Sequence, residues 1–127
     1  MRRVFLLILS IVVLNTGCGG NSVEQNTYQQ ITQEAAKKMM DEQEVIILDV
    51  REQDEYDSGH IPGAVLLPVG TITGERAAAV IPEKDLAVLV YCRSGNRSKK
   101  ASSALAELGY TQIYEFGGIN TWPYDVE

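Results

Sequence analysis

Residues 91–100 read YCRSGNRSKK: a cysteine closes an apolar run, and two arginines and two lysines fill the next eight positions. A thiol so placed suggests nucleophilic chemistry on a small anion. Its thiolate is the reactive form, and neighbouring cations and backbone N–H groups favour that form. Gly95 and Asn96 tolerate the positive φ that a tight ring of amides demands. Arg93 and Arg97 supply full charges. Lys99 and Lys100 oppose the dipole of a helix beginning near Ser98, at a cost of about 0.3–1 kcal/mol each. A local choice that works against folding marks a candidate site, although a solvated basic face also accounts for those two lysines taken alone.

The elements around this stretch have to position it. LAVLVY (86–91) is a short apolar run that predicts a buried strand ending at the cysteine. Ser98 to Leu108 has Ala101, Ala104, Leu105 and Leu108 on one helical face and Gly109 as its stop. Cys92 therefore lies between a strand end and a helix start, the edge at which open α/β sheets bind ligands and helix N-termini attract anions. Upstream, Thr32 is a plausible N-cap for a helix with the stripe Ala35, Ala36, Met39 and Met40. VIILDV (45–50) and GAVLLP (63–68) read as strands, GERAAAVIP as one or two helical turns, and TQIYEF (111–116) as the last strand. Strands alternating with helices predict an α/β domain with a mostly parallel sheet.

Bulk properties fit one modest domain. The chain has 127 residues, 45% hydrophobic and 22% charged, and a net charge of −6 that argues against a nucleic-acid partner. Arg2 and Arg3 precede an apolar segment, Val4 to Leu14, that is short for a bilayer span, and LNTGCGG follows. This resembles a bacterial lipoprotein signal: residues 1–17 removed, Cys18 lipidated, residues 18–27 a flexible tether and 28–127 the domain. The lipoprotein pattern prefers Leu three positions before the cysteine, where this chain has Asn15. An ordinary secretory signal or an uncleaved anchor is the alternative. The expected location is the cell envelope, held by lipid on the periplasmic or extracellular face, or exported and soluble without it. Without the signal the domain has nine basic and 17 acidic residues, so no polybasic patch assists anchoring. The chain has two cysteines. With Cys18 lipidated, Cys92 has no partner, and reactivity is a reason to keep a lone thiol in an exported protein.

Loop length separates two anion chemistries. Tyrosine-phosphatase loops place arginine six positions after the cysteine, whereas here that position is Ser98 and Arg97 is five on. The shorter ring suits a smaller group, such as a persulfide sulfur. CRSGNRS resembles the active-site loop of single-domain rhodaneses. LDVREQDEYDSGHIPGAVLLP resembles the family's upstream signature, and GGINTWP (117–123) its C-terminal one. The resemblance runs from about Tyr28 to the end of the chain. It implies about five mostly parallel strands flanked by helices in three layers. It also implies a sulfurtransferase that carries sulfur as a Cys92 persulfide, held by the loop Arg93, Ser94, Gly95, Asn96, Arg97 and Ser98. The implied donor is a small sulfur anion such as thiosulfate or a persulfide, and the acceptor cyanide or a thiol, with a thiol-redox protein as a possible partner. No metal or organic cofactor is implied.

Other candidates have plainer readings. His60, the only histidine, falls in the Gly-His-Ile-Pro-Gly signature and is expected to serve a turn and not a Cys–His pair. Asp49 and Arg51 are expected to brace the loop from behind. Trp122 reads as core packed against the last helix, and Glu52, Glu55 and Asp57 as a solvated acidic face. Two rival functions remain open. One is phosphatase or arsenate-reductase chemistry on the same thiolate. The other is a non-enzymatic persulfide carrier or docking domain, which would take up one sulfur and release it quickly only to its partner.

Overall fold

The computed structural model describes residues 27–127. The expected signal, Cys18 and nearly all of the tether lie outside the described residues. Five strands form one sheet: β1 (Gln29–Gln30), β2 (Ile46–Asp49), β3 (Val65–Leu66), β4 (Ala87–Cys92) and β5 (Gln112–Gly118). Their order is β1-β5-β4-β2-β3, and every pairing is parallel. The central strand, β4, is buried along its whole length, as an apolar run in a parallel sheet must be.

Helices cover both faces. Val88, Val90 and Cys92 point to one side with Ile113, against Ala101 and Leu105 of α4 (Asn96–Glu107) and Ala77 of α3 (Gly74–Val80). Leu89 and Tyr91 point to the other, with Phe116, Ala36 of α1 (Gln33–Glu42), and half-buried Met39 and Met40. Thr32 caps α1 as its sequence position predicts, its Oγ1 accepting from the Ala35 N–H at 3.0 Å.

Four features depart from expectation. The acidic segment after Asp49 contains a helix, α2 (Gln53–Ser58), closed at its start by a capping box between Glu52 and Glu55. β1 adds an edge strand of two glutamines. β3 keeps two of the six residues expected of it, because the Leu67 and Val69 amides already bond to Asp49 and Val50 through the turn that follows. Trp122 is half-buried and packs on Phe116 at 5.4 Å between centroids, on the α1 side of the sheet and not against α4.

The sheet is irregular at one place that matters. Val90 pairs with Glu115 and Cys92 with Gly118, so β5 uses three residues where β4 uses two. Gly117 takes up the extra residue at φ 92°. Such a bulge re-aims the side chains beside it.

Candidate active site

Cys92 is the last residue of β4 and has no exposed surface. The chain leaves the strand, turns through Arg93 and Ser94, and enters α4 at Gly95, whose φ of 106° lies in the left-handed region. That turn aims the Gly95 N–H at Sγ, 3.0 Å away. Asn96, also expected to tolerate positive φ, is instead the first helical residue. Ser98, one turn into α4 and buried, places its hydroxyl 3.4 Å from Sγ. Burial by itself pushes the Cys92 thiol up. The Ser98 hydroxyl and the amides of Ser98, Gly95 and Ser94 outweigh it, and the thiol sits below its ordinary value.

Gly118 explains the close seat of this loop. A Cβ built there would overlap the Arg93 carbonyl and lie 2.6 Å from Ser94 Cα. Only glycine lets β5 pass under the loop. The Asn120 N–H then bonds to the Arg93 carbonyl at 3.2 Å. The C-terminal Gly-Gly therefore does two jobs, Gly117 forming the bulge and Gly118 admitting the loop.

The two arginines differ. Arg93 and its neighbour Ser94 are exposed at the mouth of the loop, as are Asn96, Lys99 and Lys100. Arg97 turns away to a bidentate pair with Glu55 of α2, at 2.7 and 3.0 Å. This corrects the reading of Glu55 as part of a solvated face. Its side chain is 25% exposed. The Arg97 guanidinium, then the Glu52 amide, hold its carboxyl at about 2.

Behind the loop lies a fully buried brace. Arg51 Nε and Nη2 grip the Asp49 carboxylate at 2.7 to 3.1 Å, and Tyr91 donates its phenol to Asp49 Oδ2 at 2.6 Å. The same phenol accepts from the Ile61 N–H at 3.1 Å, and Arg51 reaches the Gly59 carbonyl at 2.8 Å. One cluster thus ties β2, β4 and the 59–61 turn together, on the face of the sheet opposite Cys92. Burial, followed by the bond to Asp49, pushes the Tyr91 phenol up, so it remains a donor. His60 belongs to that turn: it stacks on Tyr56 at 3.8 Å and has the Tyr56 carbonyl and Glu127 as its side-chain partners. None of these is in the cysteine loop.

One neighbour of the thiol was not anticipated. Glu115 of β5 is 2% exposed, and its Oε2 is hydrogen-bonded to the Ser98 hydroxyl. In the sequence it is a single acid inside TQIYEF, and only its alternation with Ile113 marks it as inward-facing. Among the described residues no cluster of His, Cys, Asp and Glu could hold a metal ion.

The fold thus places a buried thiol at the C-terminal edge of a parallel α/β sheet, under backbone amides. The chain belongs to the Rhodanese-like domain family, whose pattern residues 32–123 match. It is 38% identical over 72 residues to thiosulfate sulfurtransferase PspE of Escherichia coli (strain K12), covering 57% of this chain and 68% of that protein. It is 33% identical over 96 residues to thiosulfate sulfurtransferase GlpE of Coxiella burnetii, covering 75% and 87%. A solved rhodanese with anions from E. coli superposes with a TM-score of 0.62 at 32% identity, covering 66% of this chain and 98% of that one. The five-stranded, helix-flanked architecture expected from the sequence is therefore that of its family.

Proposed function

We propose that this chain is a sulfurtransferase that carries a sulfane sulfur on Cys92. The observation that supports this best is the thiol's setting: a sulfur at a strand end, 3.0 Å from the Gly95 N–H, in a loop whose arginine stands five positions after the cysteine. The Cys92 thiolate attacks the outer sulfur of thiosulfate or a persulfide. The donor S–S bond breaks, and sulfite or a thiolate leaves with the electron pair. The Cys92 persulfide that forms has the loop amides as its hydrogen-bond donors. An acceptor thiolate or cyanide then attacks the outer sulfur, and Cys92 departs as thiolate. Arg93, exposed at the mouth, is placed to meet the anionic donor, and Arg97 joins it when its bond to Glu55 yields. The relatives named thiosulfate sulfurtransferase support the same donor class. In this reading the chain is exported, lipidated at Cys18 and active at the envelope, with a thiol-redox protein as acceptor.

Intact mass after thiosulfate, with and without cyanide, tests the covalent step. A gain of one sulfur atom (~32 Da) that cyanide removes and Cys92→Ser never shows is the expected result. No gain in folded protein removes thiosulfate as donor. A gain discharged only once, with no turnover on small acceptors, turns the reading into that of a carrier.

A further inference from the structure

Ser98 has one hydroxyl hydrogen and, besides the Gly95 and Gly117 carbonyls at 3.0 and 3.5 Å, two buried acids compete for it. On one side is Cys92 Sγ at 3.4 Å, and on the other Glu115 Oε2, in a closer contact. Glu115 Oε2 also accepts from the Gly117 N–H at 3.0 Å, and Oε1 lies 3.4 Å from Gln30 Nε2. Regular alternation in β5 puts Glu115 on the face of Ile113, opposite Val90 and on the Cys92 side of the sheet, and the bulge begins just after it. A carboxyl with almost no exposed surface, one atom removed from the reactive sulfur, is expensive to keep without a use.

We infer that Glu115 is a positioning residue that sets the state of Cys92 through Ser98. The inference rests on Cys92 being the nucleophile. With Glu115 ionised, the Ser98 hydrogen points to it, and Cys92 donates its own S–H to Ser98 Oγ and stays a thiol. Activation moves one proton along the line. The Cys92 S–H bond breaks as its proton joins Ser98 Oγ, and the former Ser98 proton forms a new O–H on Glu115 Oε2. The sulfur keeps the electron pair and now receives a hydrogen bond from Ser98. No proton leaves the site, and no oxidant or co-reactant is required.

Few other charges face the line. α4 contributes Arg97, answered by Glu55 of α2, and the loop contributes Arg93. β2 contributes Asp49, paired with Arg51 just beyond its end and bonded to Tyr91 of β4. β1 and α1 offer the uncharged Gln30 and Gln33.

The test is the pH dependence of Cys92 alkylation by iodoacetamide. It is run on the full chain carrying Cys18→Ser, so that Cys92 is the one thiol. It needs no sulfur donor, so it stands even if sulfur transfer fails. Glu115→Gln keeps the volume and the oxygen that meets the Gly117 N–H, but a neutral amide cannot take the Ser98 proton and holds it less tightly than a carboxylate, leaving that hydrogen to the sulfur. The midpoint should fall by about one pH unit, roughly tenfold in reactivity on the acid limb. In a Ser98→Ala background the same change should have little effect, a coupling that a purely structural role would not produce. An unchanged midpoint in Glu115→Gln, or an equal shift with and without Ser98, overturns the inference. If Glu115→Gln does not fold, the reciprocal measurement uses the native residue. By linkage, the Glu115 carboxyl followed by carbon NMR should titrate at a different pH once Cys92 is alkylated, and an unchanged titration overturns the inference equally.

Discussion

Two arginine–carboxylate pairs flank Cys92, one before it and one after, and they differ in almost every respect. Asp49–Arg51 is sealed: the Asp49 side chain has no exposure and the Arg51 side chain 6%. Every oxygen and nitrogen that burial strips of water has a protein partner, Tyr91 and the Gly59 carbonyl included. Arg97–Glu55 is open, at 31% and 25%, and spans two helices with no buried partner. The first pair holds the floor of the site, where a broken bond leaves a charge stranded. The second can exchange partners with water or an anion at little cost. One kind of ion pair is thus a fixed brace when buried and an exchangeable contact when exposed.

The largest effect should come from the sealed pair. Asp49→Asn leaves Arg51 charged and buried, an expected loss of about 3–5 kcal/mol. In a domain of this size that is a fall in melting temperature of some 15 °C or more, checked by calorimetry. A fall of only a few degrees would make the two pairs alike. Next comes Gly118→Ala, which asks whether the loop is seated by β5 or by the Arg97–Glu55 clamp. Displacing Arg93 and Ser94 by about an ångström should cost about 100-fold in turnover, measured with thiosulfate and cyanide. Near-normal turnover would credit the clamp.

Glu55→Gln frees Arg97. Stability should change by no more than about 1 kcal/mol, while the thiosulfate KM should fall by up to about fivefold. A rise in KM would mean that Glu55 orients Arg97 for the donor. The same pair has a pH signature. Because the folded-state Glu55 carboxyl lies at about 2, below its unfolded range, its contribution is present above about pH 4.3 and fades as pH falls toward 2. Acid titration of the Glu55→Gln protein should lack that increment. The smallest effect belongs to His60→Ala. Losing the Tyr56 stack should cost about 1 kcal/mol with turnover unchanged, and a large turnover loss at unchanged melting temperature would bring His60 into the chemistry.

The patterns legible in the sequence were those written by a continuous face. The apolar runs of β2 and β4, the stripes of α1 and α4 and the Thr32 cap each carry their signal within a dozen residues. α2 escaped because Tyr56 is its one apolar contact among five polar residues, too few to write a stripe, and its other sign, Glu52 and Glu55 three apart, lacks the usual Ser or Thr. β1 escaped because two glutamines on an edge encode nothing but backbone pairing. At the site, Cys92 and its loop were legible from residue type. The partner of Arg97 was not, because Glu55 is 42 positions away, and a charge shows its sign in a sequence but not its neighbour. Glu115 was hidden in plain view: its alternation with Ile113 puts it inward, but an acid gives no sign of the Ser98 hydroxyl, 17 positions away, that receives it.

The cover over Cys92 has a consequence for durability. Sulfur oxidation climbs from sulfenic to sulfinic to sulfonic acid, and each rung adds an oxygen that must fit beside the sulfur. Cys92 has no exposed surface and sits against the Gly95 amide and the Ser98 hydroxyl. In the proposed reaction one added sulfur finds room there, so one oxygen would too, while the second and third oxygens of the ladder would have to displace those neighbours.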